Sequence, residues 1–170
     1  GALVNPVPVS VARAMGAAGR VRWVGRHMIY PALAAIAVGL DQDIPLDTIL
    51  NRLAATPLVT SRLQLVESAE GVYILCDDFK GSLETIHSAL DVLESIPVPA
   101  ARKLVVLGDI FEPPGDIELH YRAIGERLAR IASFAVLAGD TAGRYAAGLR
   151  QGGFSSDQFV NAGQGIAPVA

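Results

Sequence analysis

The chain has 170 residues, enough for one ordinary domain with a sizeable core or for a domain and part of another. Hydrophobic residues make up 51% of it, and the net charge of -3 with scattered Lys and Arg offers no basic surface to nucleic acid. Cys76 is the one cysteine, which excludes intrachain disulfides and multi-cysteine metal sites, and no apolar run approaches the ~20 residues of a membrane span.

Residues 1 to 19 are rich in Val, Ala and Pro and carry no assignable period; they also lack the pattern of a signal peptide, so a cytoplasmic location is expected. Arg20 to Val24 alternates charged and apolar residues and predicts a short strand. A turn at Gly25-Arg26-His27 precedes a largely buried helix with Pro31 as its first residue, running through Gly39. Asp43 and Pro45 predict the cap and first turn of a second helix, with Leu46, Ile49, Leu50 and Leu53 on one face. Ala54 to Thr60, containing Pro57, is the expected domain boundary.

Beyond it the order is regular. Arg62 to Glu67 predicts a strand, Glu70-Gly71 a turn and Val72 to Cys76 a buried strand. Ser82 is the expected cap of a helix that places Leu83, Ile86, Leu90 and Leu93 on one face and stops at Pro97. Lys103 to Leu107 predicts another buried strand. Asp116 opens a helix with Ile117, Tyr121, Ile124, Leu128 and Ile131 at helical spacing. Ser133 to Leu137 predicts a strand, Thr141 to Arg150 a helix, and Phe159 to Asn161 a last short strand. Alternating strands and helices with unbroken apolar strands predict an α/β fold: a Rossmann-like, mainly parallel sheet with helices on both faces, preceded by a helical segment.

The chemistry-bearing residues gather at strand ends. Asp77, Asp78, Lys80 and Gly81 follow the Val72 to Cys76 strand, where ligands sit in open α/β sheets and helix amides face phosphate. Adjacent carboxylates at a strand end start in opposite directions, so Asp77 and Asp78 make a poor acid-base pair; either one faces a ligand while the other caps or meets solvent, or both are plain turn carboxylates, the reading that would be preferred without the neighbouring lysine. Lys80 is either a phosphate ligand or an ion-pair partner of Asp78. Arg62 reads first as a surface strand residue, with phosphate binding as the alternative. Asp109 and Glu112 follow the next strand and serve substrate or magnesium, or cap the loop. His27 contacts a nucleotide or holds its turn, His87 is solvated, and His120 makes a structural hydrogen bond. Cys76 packs. Walker A, dinucleotide-fingerprint, nucleophile-elbow and zinc-protease patterns are absent from the sequence.

Gly25-Arg26-His27, Ser61-Arg62-Leu63, Asp77-Asp78-Phe79-Lys80, Leu107-Gly108-Asp109-Ile110-Phe111-Glu112 and Leu119-His120 occur in the order seen in Mur ligases. The chain resembles that family from about Val24 to about Leu149, nearest to the branch that adds D-alanyl-D-alanine. That branch carries Gly-Arg-His-Asn, Gly-Arg-Leu, Asp-Asp-Ser-Tyr-Asn-Ala-Asn-Pro and Leu-Gly-Asp-Met-Leu-Glu-Leu-Gly. Here Lys80-Gly81-Ser82-Leu83 stands for Asn-Ala-Asn-Pro, the lysine being more like that of the D-glutamate-adding branch, and Phe111-Glu112-Pro113-Pro114 for Leu-Glu-Leu-Gly. Met28 and Pro31 stand where the family has adenine-contacting asparagines.

The resemblance implies an ATP-dependent amide ligase of peptidoglycan precursor synthesis. It joins an amino acid or D-Ala-D-Ala to a UDP-muramoyl peptide through an acyl phosphate, with magnesium held mainly by other domains. Residues 1-57 would be the tail of the central ATPase domain, and 58-170 the C-terminal domain lacking its last strand, the whole being an inactive piece of a longer chain. Asp78 would hold ribose hydroxyls, Lys80 and Arg62 would lie at the phosphates, and Asp109 and Glu112 would shape the amine side. The alternatives are a non-catalytic Rossmann-like ligand- or partner-binding module and a polyglutamate-type ligase.

Overall fold

The computed structural model of the chain describes residues 7–8, 20–21, 23, 25–57 and 59–163. It divides into two compact units, Gly1–Phe79 and Lys80–Ala170.

In the first unit, β1 (Val7–Pro8) pairs antiparallel with β2 (Arg20–Val21). This is part of the expected strand; Arg22 and Val24 lie outside the described residues, as do 1–6 and 9–19. A 3-10 turn at Arg26–Met28 leads into α1 (Ile29–Asp41). The helix starts two residues before Pro31, which the first turn tolerates because its amide would have no helical partner there. Nor is α1 largely buried. Ala32, Ile36 and Gly39 form one buried stripe, while Tyr30 and Val38 stand exposed. The second helix, α2 (Leu46–Ala55), has no side-chain cap. Asp43 instead takes a left-handed turn conformation (φ 54°) ahead of it, and Pro45, which keeps the preceding residue out of the helical region, becomes the cap position. Ile49, Leu50 and Leu53 of α2 pack with Trp23, Ala32 and Ile36 as the core of this unit.

Strands β3 (Gln64–Glu67) and β4 (Tyr73–Cys76) form an antiparallel hairpin of their own. This corrects the expected buried strand at Val72 to Cys76: Val72, Tyr73 and Ile74 are 57%, 45% and 48% exposed. The spacing already required it. The link from Glu67 to Tyr73 is too short for the crossover of a dozen or more residues that parallel strands need. Ser68 closes the turn, its Oγ accepting from the amides of Glu70 and Val72, both at 3.2 Å.

The second unit carries the βαβ order. Helix α3 (Leu83–Ser95) is capped by Ser82, whose hydroxyl accepts from the Thr85 amide, as expected. Strand β5 (Leu104–Leu107), helix α4 (Ile117–Ile131), strand β6 (Phe134–Ala138), helix α5 (Tyr145–Gln151) and strand β7 (Phe159–Gly163) follow. The three strands are parallel in the order β5-β6-β7, with Leu104 opposite Phe134 and Ala135 opposite Phe159. Helical links between adjacent parallel strands make right-handed crossovers. Val105, Leu107, Ala135 and Leu137 meet Ile86, Leu90, Tyr121, Ile124, Leu128 and Leu149 from the flanking helices in one core. The unbroken apolar run predicts β5 buried throughout; instead it alternates, and Leu104 and Val106 are 57% and 59% exposed.

Helices α4 and α5 touch backbone to backbone. A Cβ on Gly148 would meet the Arg122 carbonyl, and one on Gly125 the Tyr145 carbonyl. Lys103 at the foot of β5 is buried and donates to the carbonyls of Leu93 and Ile96 (2.6 and 3.0 Å). It satisfies the end of α3, where a cation also complements the helix dipole. His87, expected in solvent, is half-buried on α3, and its carbonyl accepts from Arg127.

Candidate functional site

The residues expected to carry chemistry fall in both units, and each unit builds its own local geometry. In the first, Ser61 and Leu63 both adopt left-handed backbone conformations (φ 61° and 46°) on either side of Arg62. Each such non-glycine residue costs about 1–3 kcal/mol, so the loop persists because its surroundings over-determine it. Leu63 is buried, and its amide donates to Asp77 Oδ1 at 3.2 Å. The Ser61 carbonyl accepts from the Phe79 amide at 3.2 Å, and the Ser61 amide donates to Gln64 Oε1 at 3.3 Å. The strand end after β4 thereby clamps the loop before β3. Arg62 comes out of it with its guanidinium 4.5 Å from the Phe79 ring centroid.

This geometry divides the two aspartates as their opposite starting directions demand. Asp77 is half-buried and spent on the Arg62 loop; Asp78 is exposed. His27 sits half-buried in the 3-10 turn ahead of α1.

In the second unit Asp109 is the hub at the carboxyl end of β5. Its Oδ1 accepts from the Thr141 amide and hydroxyl, both at 2.8 Å, and its Oδ2 from the Asp140 amide at 3.0 Å. The Tyr121 hydroxyl lies 2.6 Å from Thr141 Oγ1 and accepts from the Ile110 amide at 2.9 Å. Since the Thr141 hydroxyl donates to Asp109, the Tyr121 hydroxyl donates to Thr141, and the chain of bonds closes. Burial pushes the Asp109 carboxyl up; the Thr141 hydroxyl and the amides of Thr141, Asp140 and Ala142 outweigh it and hold its pKa below the ordinary carboxylate value. Burial, then Tyr121 and Asp109, push the Tyr145 hydroxyl well above its ordinary value; it donates to the Gly108 carbonyl at 3.2 Å.

A group with a depressed folded pKa contributes stability above its unfolded value, about 3.9 for Asp. That contribution is lost as pH falls through the folded value. Urea unfolding of the second unit is therefore expected to weaken more steeply below about pH 4 in the wild type than in Asp109→Asn. Parallel acid limbs for the two proteins would contradict the assignment.

Beyond Asp109 the chain turns through Ile110 and Phe111 to Glu112, which is exposed and left-handed (φ 43°). The Phe111 amide donates to the Gly81 carbonyl at 2.8 Å, and Lys80 Nζ lies 3.9 Å from the Phe111 ring centroid. Asp109, Glu112 and Lys80 thus belong to one neighbourhood of this unit. His120 Nε2 pairs with the Pro114 carbonyl at 2.6 Å, the structural bond expected of it. Tyr121 and Thr141 escape sequence reading. The one signal available is that a tyrosine in a buried stripe needs a partner for its hydroxyl.

No family model matches the chain. Curated relatives do. The UDP-N-acetylmuramoyl-tripeptide–D-alanyl-D-alanine ligase of Buchnera aphidicola is 30% identical over 105 residues, 62% of this chain and 22% of the relative. The Escherichia coli enzyme of the same name is 31% identical over 102 residues, 60% of this chain and 22% of the relative. Its homologues are Mur ligases.

Among solved Mur ligases, MurF from Acinetobacter baumannii superposes with a TM-score of 0.72 at 22% identity, covering 87% of this chain and 31% of that one. MurF from Thermotoga maritima, solved in complex with ADP, gives a TM-score of 0.59 at 22% identity over 70% of this chain and 26% of that one. These likenesses bear out the α/β, parallel-sheet fold. The chain spans about a fifth of the length of the Mur ligases it matches by sequence, and the match falls in their C-terminal part. What the chain is similar to is thus the C-terminal part of ligases of that name.

Proposed function

We propose that this chain is the C-terminal portion of an ATP-dependent, ADP-forming amide ligase acting on a UDP-muramoyl peptide. In this reading residues 1-57 are the tail of the central ATPase domain and 58-170 the C-terminal domain. The observation that carries it is the strained loop around Arg62. Two left-handed residues, one of them the buried Leu63, and the Asp77 carboxylate are committed to presenting one arginine, and strain held in this way accumulates at working sites.

The chemistry proposed is stepwise. A carboxylate of the muramoyl peptide attacks the γ-phosphate of ATP, ADP leaves, and the acyl phosphate is then opened by the amine of an amino acid or dipeptide, releasing phosphate. Charge spreads over the transferring phosphoryl oxygens, so fixed cations are the useful catalytic groups. Arg62 is the γ-phosphate-directed cation and Lys80 a second phosphate-directed one. Asp78, left exposed, suits ribose hydroxyls, and His27 a nucleotide contact. Asp109 is occupied by Thr141 and Asp140, so its part on the amine side is to hold the turn that carries Glu112. The exposed Glu112 carboxylate is the group there suited to an incoming ammonium. In this reading magnesium is held mainly by the other domains of the full enzyme.

The purified chain is expected to form no amide product; turnover by it alone would overturn the proposed dependence on further domains. Calorimetric titration with ATP tests the nucleotide reading. Arg62→Ala and Asp78→Ala are each expected to weaken binding about tenfold or more, the scale of a lost charge-assisted hydrogen bond. Affinities unchanged in both variants would favour a non-catalytic binding module instead.

A further inference from the structure

Lys80 is exposed at the start of the second unit, on a chain segment that has not yet entered α3. A lysine there has four rotatable bonds and about 2 kcal/mol of rotamer entropy to lose when it engages a phosphate. The structure shows a specific seat for it. Its Nζ lies 3.9 Å from the centroid of the Phe111 ring, well within cation–π range. The backbone that carries the ring is anchored. The Phe111 amide donates to the Gly81 carbonyl at 2.8 Å, and the lack of a side chain at Gly81 lets the Asp109 carbonyl approach, since a Cβ would stand 3.2 Å from it. The segment 80–81 and the turn 109–111 are therefore stitched together, and the Asp109 hydrogen bonds tie that turn to the end of β6. Phe111 stays 45% exposed, although an apolar ring at this place gains nothing from solvent.

We infer that Phe111 is a positioning residue: its ring holds the Lys80 ammonium in place so that it meets a phosphate already ordered. This rests on the proposed nucleotide reading. It assigns the role to the ring rather than to a charge, so it makes a prediction that no ion-pair account shares. Phe111→Leu, which keeps an apolar side chain, loses the effect. Phe111→Trp, with a stronger π face, keeps it.

Lys80 and Lys103 are the chain's two lysines, so protein labelled with 13C at the lysine ε-carbon gives two resolved side-chain signals. In the wild type the Lys80 signal is expected upfield, shifted by the ring current, with the buried Lys103 as internal reference. Phe111→Leu should abolish that shift and weaken ATP or pyrophosphate binding about two- to five-fold, the range of an exposed cation–π contact. Phe111→Trp should restore both, with melting temperature unchanged across the three proteins. An unshifted Lys80 signal in a wild type that binds ATP overturns the seat alone. A shift lost in Phe111→Leu with affinity unchanged overturns the positioning role. A shifted signal in a wild type that binds neither probe removes the nucleotide reading and the positioning role together, while leaving the ring contact itself established.

Discussion

Gly139→Ala is expected to destabilise the second unit by about 3 kcal/mol. Gly139 follows β6 with φ 132°, a conformation that L side chains rarely adopt. Strain of that kind costs about 1–3 kcal/mol. The space is also taken, because a Cβ there would lie 2.6 Å from the Asp109 carboxyl carbon and Oδ1. That carboxylate cannot yield without leaving the amides of Asp140 and Thr141, which it holds at 3.0 and 2.8 Å; each lost bond adds about 1 kcal/mol. The two compact units call for separate probes, since a single transition is not guaranteed. Trp23, the one tryptophan, is buried in the core of the first unit, whereas Tyr121 and Tyr145, 4.4 Å apart between ring centroids, report on the second. Near-ultraviolet circular dichroism of the tyrosine pair should show an earlier urea midpoint, with Trp23 fluorescence unmoved. Wild-type midpoints in both channels would mean that the Asp109 carboxylate has room to move.

The second large effect sets two principles against each other. Gly148→Ala in α5 should gain about 1 kcal/mol from helix propensity alone. Its Cβ, however, would overlap the Arg122 carbonyl of α4 and lie 2.9 Å from the Glu126 amide. Neither is a flexible side chain. Arg122 and Glu126 are in the helix interior, and α4 is pinned to the sheet by Tyr121, Ile124, Leu128 and Ile131. Overpacking of this kind costs about 1–3 kcal/mol or more, so the net loss expected is about 2 kcal/mol. A more stable Gly148→Ala protein would refute the backbone contact between α4 and α5. Combining it with Gly125→Ala should cost less than the sum, because both side chains part the same two helices.

Much of the second unit is legible before folding. The helical spacing of Tyr121, Ile124, Leu128 and Ile131 marks the buried face of α4, and Ser82 and Asp116 announce the starts of α3 and α4 by capping amides two or three residues on. All of these are short-range signals. The adjacent carboxylates Asp77 and Asp78 announce that they part company, because successive side chains on an extended chain point to opposite faces. The hairpin of β3 and β4 is legible too, in the short Glu67-to-Tyr73 link rather than in the apolar run.

By itself, then, the sequence determined the element order, the inner face of each long helix and the strand ends where charge collects. Periodicity and capping act over a few residues and need no knowledge of neighbours. Only the tertiary structure decided which charged groups are spent and which stay exposed. Asp77 bonds an amide fourteen positions earlier, and Asp109 a threonine thirty-two positions later. A carboxylate takes whichever donors the adjoining strand ends deliver, and that adjacency exists only once the strands have found their register.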